Sequence, residues 1–266
     1  MTRAFALAAL VAALGLGAGA PPPHLASYRA VYEVTLEHTS GGVLAAHGRM
    51  AVEFRDTCDG WATSQRLIAD MTDSQGVLSR TDFFVTAWES KDGRTMRFDI
   101  NNSHDGKVES RHRGSAQLAP DGSGHVELAA GKPAKFSLPK GTEFPTAQIL
   151  SLLRVAASGS GTAKHLVFQG GDRTDLNFST AVVGRRAVAP AIASAIAIDR
   201  HGLLKNAAAW PVLISYFPVS SRAETPDYEV ATHLFANGVN GSMSLVYPDY
   251  TLRATLGRLD PLHASC

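Results

Sequence analysis

Histidine is the residue type with the widest chemical reach in this sequence, and its spacing argues against a compact site. The ten histidines stand at 24, 38, 47, 104, 112, 125, 165, 201, 233 and 263, and no two are closer than eight residues. A His-x-His or His-Glu-x-x-His pair puts two imidazoles on one strand or helix face, where a zinc ion needs them. Neither occurs, so a metal site would have to be assembled from distant strands. The plainer reading is histidines on surfaces and strand edges. No Gly-x-Ser-x-Gly nucleophile elbow is present, and Ser160 sits in the flexible stretch Ser158-Gly159-Ser160-Gly161. Walker and dinucleotide fingerprints are missing, so no cofactor is predicted. Asp70, Asp73 and Gly76 resemble part of a calcium loop, but the twelfth position is Thr81 and Asp82 falls one beyond it. Turn chemistry accounts for these residues. The reading is a non-enzymatic protein, with a hydrolase assembled from distant strands as the alternative.

Apolar and aromatic residues carry more of the signal. Phe83, Phe84, Val85 and Trp88 crowd one stretch, and Trp210, Val212, Ile214, Tyr216 and Phe217 another. With Ile149, Leu152 and Leu153, the residues Phe84, Trp88, Trp210 and Tyr216 are the candidate walls of an apolar cleft, or else plain core. Ala187–Ile198, nearly free of charge, is the candidate for an exposed apolar lip, although a buried strand and loop is the simpler expectation.

The elements that must position these residues are mostly strands. Tyr28, Ala30, Tyr32, Val34 and Leu36 alternate with Arg29, Glu33, Thr35 and Glu37, the period of a half-buried strand. Turn signals such as Asp92-Gly93, Asp105-Gly106, Asp121-Gly122 and Asn237-Gly238 punctuate the rest. One convincing helix is expected at about 145–157, where Ile149, Leu152, Leu153 and Ala156 share a face. Gln148, Ser151 and Arg154 fall on its other face, and Pro145 and Thr146 are its first-turn and capping residues. A helix of about three turns cannot stand alone in water and must lie against a sheet. The predicted fold is mainly β: a large, strongly curved antiparallel sheet forming an open barrel with this one short helix. A membrane-embedded barrel is the rival, but no clean lipid-facing band can be traced.

Residues 1–20 read as an export signal, with Arg3 before an apolar run that is short of the ~18–20 residues needed to span a bilayer. An uncleaved anchor is the alternative. Cleavage near Ala20 leaves residues 21–266 as one domain in the periplasm. Arg3 is the only charge removed, so 24 basic and 24 acidic residues remain. That balance predicts no nucleic-acid partner and no broad attraction to an anionic membrane. In an oxidising compartment the two cysteines, Cys58 and Cys266, are most simply paired; two free thiols are the other possibility.

Several stretches carry a family resemblance. They are Ala26-Ser27-Tyr28-Arg29-Ala30-Val31-Tyr32, Cys58-Asp59-Gly60-Trp61, Leu138-Pro139-Lys140-Gly141-Thr142-Glu143-Phe144-Pro145-Thr146, Val167-Phe168-Gln169-Gly170, Val182-Val183-Gly184, Trp210-Pro211-Val212, Asp227-Tyr228-Glu229-Val230, Asn237-Gly238-Val239 and the terminal Cys266. In this order the mature chain resembles the periplasmic cell-envelope integrity (EipB) family of alphaproteobacteria, formerly a domain of unknown function. The resemblance implies a monomeric periplasmic β-spiral with a Cys58–Cys266 disulfide and a shape similar to that of lipoprotein carriers. It also implies a role in envelope maintenance linked to a periplasmic tetratricopeptide-repeat protein, and it carries over no catalytic residues. The functional expectation is therefore a protein supporting envelope integrity, by holding an acyl chain, lipoprotein or envelope partner in or on a curved sheet.

Overall fold

The computed structural model describes residues 24–130, 133–220 and 224–263. The first half of the chain is an unbroken meander: β1 (Tyr28–Thr39), β2 (Val43–Asp56), β3 (Gly60–Asp73), β4 (Leu78–Ser90), β5 (Thr95–His104), β6 (Lys107–Leu118), β7 (Gly124–Ala130) and β8 (Ala134–Leu138). A two-residue β9 (Thr142–Glu143) leads into helix α1 (Pro145–Ala157). The second half follows as β10 (Gly161–Phe168), β11 (Leu176–Val183), helix α2 (Ala189–Ile198), β12 (Ala209–Pro218), β13 (Tyr228–Phe235), β14 (Asn240–Val246) and β15 (Tyr250–Pro261).

All fifteen strands belong to one sheet, ordered β8-β7-β6-β5-β4-β3-β2-β1-β15-β14-β13-β12-β11-β10-β9. The first and last long strands close the two halves on each other, β1 running antiparallel to β15. The sheet's two edges, β8 and β9, are consecutive in the chain and joined through Pro139–Gly141, so the barrel is nearly closed. The approach is tight here: a Cβ on Gly122 would lie 2.8 Å from the Gly141 amide nitrogen and the Thr142 carbonyl oxygen. The turn signals work as their chemistry dictates. Asp105 and Gly106 take φ of 50° and 75°, the left-handed pair that matches strand twist. Asp73 Oδ1 accepts the amides of Gln75 and Val77 at 2.8 Å each, so the calcium-like fragment is a turn.

Alternation sorts the side chains. Tyr28, Ala30, Tyr32 and Val34 point inward and are buried, with Ala30 at 0 % exposure. The outward face of the first half carries cross-strand ion pairs instead, Arg49–Glu33 at 2.8 Å, Arg66–Asp82 at 2.7 Å and Arg80–Asp70 at 2.6 Å among them. A face of this kind is built for water rather than for a lipid-facing band.

Two cores result. The larger gathers Leu152, Leu153 and Ala156 of α1 with Tyr32, Met50, Leu234 and Leu256. The smaller forms where β5–β8 curl over the tip of the β10–β11 hairpin. Phe168 there meets Phe98 and Phe136 edge-on at 5.8 and 6.0 Å.

The helix count departs from expectation. Ala187–Ile198 is not a strand and loop, since its greater part forms α2, with Pro190 in the first turn. Alanine is the best helix former, and nothing between Ala191 and Ile198 breaks a helix. A run this uniformly apolar hides its period, which shows only in the burial of Ile192 and Ala195, three residues apart.

Candidate functional site

The inward residues are fully buried on one side of the sheet and only partly buried on the other. Along β1 and β15 the inward residues are sealed, with Tyr32 at 1 %, Ala254 at 0 % and Leu256 at 3 % exposure. On β3 and β4 the inward rows stay half-buried: Thr63, Gln65 and Leu67 opposite Phe83 and Val85. Ile149 and Leu150 of α1, Ile214 of β12, Val230 of β13 and Leu245 of β14 are likewise only partly covered where they pack on the main core. These inward apolar residues are thus only partly sealed, while Leu152, Leu153 and Ala156 of α1 are buried in the core.

A polar network joins α1 to the sheet. Glu89 of β4 is 4 % exposed and accepts both the amide and the hydroxyl of Thr146. Burial pushes the Glu89 carboxyl up to about 7, and the two bonds from Thr146 only partly offset this. The expected capping by the Thr146 side chain does not occur, because Phe144 is the N-cap residue and no side-chain cap bond forms. A carboxylate from a distant strand serves the helix start instead. Gln148, expected on the outward polar face, is 3 % exposed. It donates to Ser179 Oγ at 2.8 Å and accepts from Tyr216 Oη at 3.0 Å. Tyr216 stacks on Tyr228 at 4.7 Å, Tyr228 exchanges a hydrogen bond with Gln169, and Tyr247 and Tyr250 continue the aromatic row. Burial raises the phenol of Tyr216 to about 12 and holds that of Tyr228 well above its ordinary value.

The arrangement nearest to catalysis is Glu143, paired with His165 Nδ1, with Ser179 opposite His165 in the β10–β11 ladder. Ser179 is 0 % exposed and its hydroxyl accepts from Gln148, so no nucleophile is presented. No hydrogen bond joins it to His165, whose Nε2 is buried without a partner. Among the described residues no group of three His, Cys, Asp or Glu is placed to hold a metal ion.

The seven apolar candidates separate. Leu152 and Leu153 are sealed in the core, Ile149 and Trp210 are half-buried against it, and Tyr216 belongs to the polar network. Phe84 and Trp88 do not join them. Strand alternation sends them to the outer face, where Phe84 is 37 % exposed. Neighbouring residues of one strand cannot share a face, so crowding in sequence misled there. Trp88 instead borders an outer groove of about 960 Å³, with Arg97 stacked over its ring at 5.3 Å. A second groove, about 450 Å³, lies between α2 and the sheet beside Val182, Leu213 and Ala231. Cys58 sits in an exposed turn with φ of 68° and is not a free thiol. Cys266 and the expected export signal at 1–20 lie outside the described residues. Sequence reasoning missed Glu89 and the role of Gln148. The one available signal for Glu89 was a carboxylate in register with the inward Phe83, Val85 and Ala87.

Comparison with known proteins bears on this geometry. The cell envelope integrity protein EipB of Brucella abortus (strain 2308) is 28 % identical over 251 residues, covering 92 % of this chain and 88 % of that protein. A crystal structure of a beta-barrel-like protein of a domain of unknown function, also from Brucella abortus, superposes with a TM-score of 0.81 at 27 % identity. It covers 90 % of this chain and 99 % of that one. Residues 19–263 match the EipB-like family, which spans every strand and both helices described above, and the chain belongs to that family.

Proposed function

We propose that this chain is a non-enzymatic periplasmic protein that supports cell-envelope integrity by holding an apolar ligand, an acyl chain or the lipidated end of an envelope protein, in the half-open cleft. The observation that carries this reading is the contrast between the sealed β1–β15 wall and the half-buried inward row of Leu67, Phe83 and Val85. Apolar side chains that face the interior and still meet water are a cost unless something covers them. Support comes from the relative named for envelope integrity and from the export signal expected at residues 1–20. Native mass spectrometry of gently purified protein tests the ligand. An adduct of acyl-chain mass, displaced by a fluorescent fatty acid, is the expected result. A protein that is empty and also ignores the fluorescent fatty acid overturns the reading.

A further inference from the structure

The segment from Gly184 to Lys205 combines two features that the cleft does not use. Its helix α2 turns an uncharged face to solvent. Val188, just before the helix, is 69 % exposed and Ile196 within it 42 %. The apolar surface continues onto the sheet through Val182 and its cross-strand partner Leu213, at 52 % and 39 % exposure, beside the groove under α2. Ile192 and Ala195 are buried and Ile198 partly so, which anchors the helix and leaves its other residues exposed.

Cations bracket this patch. Arg185 and Arg186 precede the helix, and Arg200 and Lys205 follow it, all four exposed. Among the described residues none of them has a carboxylate partner. The one acid within 184–205, Asp199, is committed to the amides of Leu203 and Leu204 at 2.9 and 2.6 Å. His201 is turned to Asp260. The chain as a whole carries a net charge of only +1, so attraction to an anion is local rather than general, and it is concentrated at the rim of this exposed apolar face.

We propose that this face seats on an anionic lipid bilayer, with α2 lying in the interfacial plane and the four cations on lipid headgroups. A ten-residue helix is about 15 Å long, which sets the cations at both ends of the inserted face. Charge complementarity selects the occupant. A protein partner is disfavoured because the patch has none of the Trp or Tyr anchors that dominate protein interfaces. The inference is independent of whether the cleft binds a ligand.

The test is co-sedimentation of the mature protein with vesicles of phosphatidylcholine, and of phosphatidylcholine containing about a third phosphatidylglycerol. Binding is expected to the anionic vesicles alone, weakening as salt rises from about 0.1 M to about 1 M and the Debye length falls from about 10 Å to about 3 Å. Replacing Arg185, Arg186, Arg200 and Lys205 by Gln should lower partitioning by two to three orders of magnitude, at about fivefold per cation. Ile196→Asp should abolish it, with an unchanged melting temperature as the folding control. Val188→Asp, outside the helix, is the second variant should Ile196→Asp melt early. Failure to bind, equal binding to both vesicles, or binding that survives the fourfold replacement overturns the proposal. So does a crosslinker at Ala193 that captures one protein while vesicles capture nothing.

Discussion

Glu89 of β4 holds Thr146 in the first turn of α1 through both carboxylate oxygens, accepting the amide at 3.0 Å and the hydroxyl at 2.9 Å. The contact ties the helix to a strand 57 residues earlier. It also buries an acid whose pKa rises from 4.5 to about 7. A group with a raised folded-state pKa favours the folded protein fully below its unfolded value, and that contribution is lost as pH climbs through the folded one. The penalty above neutrality is of order 3 kcal/mol. Glu89→Gln keeps an acceptor for the amide and gains a donor for the hydroxyl. Its melting temperature should match wild type at about pH 4 and below, pull ahead as pH rises from 4.5 to about 7, and keep a constant lead at higher pH. Parallel melting curves across that range would show that Glu89 does not titrate in the fold.

Gln148 and Tyr216 form the second tie between α1 and the sheet. Removing one partner leaves the other buried and unpaired, which costs about 1–3 kcal/mol. Tyr216→Phe and Gln148→Leu should each destabilise by an amount in that range. The double variant should cost clearly less than the two singles combined, because both lose the same bond. Urea denaturation of the four proteins measures the coupling. Strict additivity would mean the bond at 3.0 Å contributes nothing to stability.

Much of the architecture was legible because it rests on short-range chemistry. Tyr28 to Leu36 alternates apart from Val31, and Asp105-Gly106 can hardly be anything but a tight turn, so the meander followed. The register of α1 was also correct for Leu152, Leu153 and Ala156. Gln148 failed because amphipathic reasoning assigns a polar residue to water, and only the tertiary structure supplies Ser179 and Tyr216 as partners. Glu89 failed for the same reason: a carboxylate is placed outside unless its satisfier is known, and the satisfier lies across the fold. The partial exposure of Leu67 and Val85 was not legible, because alternation decides which face a residue takes but not whether the opposite wall reaches it.

The two cysteines make a redox prediction. Cys58 stands at an exposed turn, and its expected partner is Cys266, so the closed loop takes in most of the mature chain. Loop-entropy reasoning gives an upper value of about 5 kcal/mol for such a bridge. For a chain of this size each kcal/mol moves the melting temperature by about 2–4 °C. Reductant should therefore lower the wild-type melting temperature by up to roughly 10–20 °C and leave Cys58→Ser unaffected. A wild-type transition indifferent to reductant would remove the bridge as a stabilising element.

The two faces of β4 give the sharpest test of the cleft, because adjacent residues report on opposite sides of one strand. Val85 points inward beside Leu67, whereas Phe84 points to solvent across from Arg66 and Asn101. Both positions are partly open to water, so neither substitution should unfold the protein. A charge at 85 places an unpaired carboxylate against any bound acyl chain, a cost of several kcal/mol in an apolar surround. Val85→Asp should therefore weaken binding of a fluorescent fatty acid by at least about a hundredfold, while Phe84→Asp should leave it within about twofold. Equal losses from the two variants would place the ligand elsewhere, and a loss from Phe84→Asp alone would move the site to the outer face of the sheet.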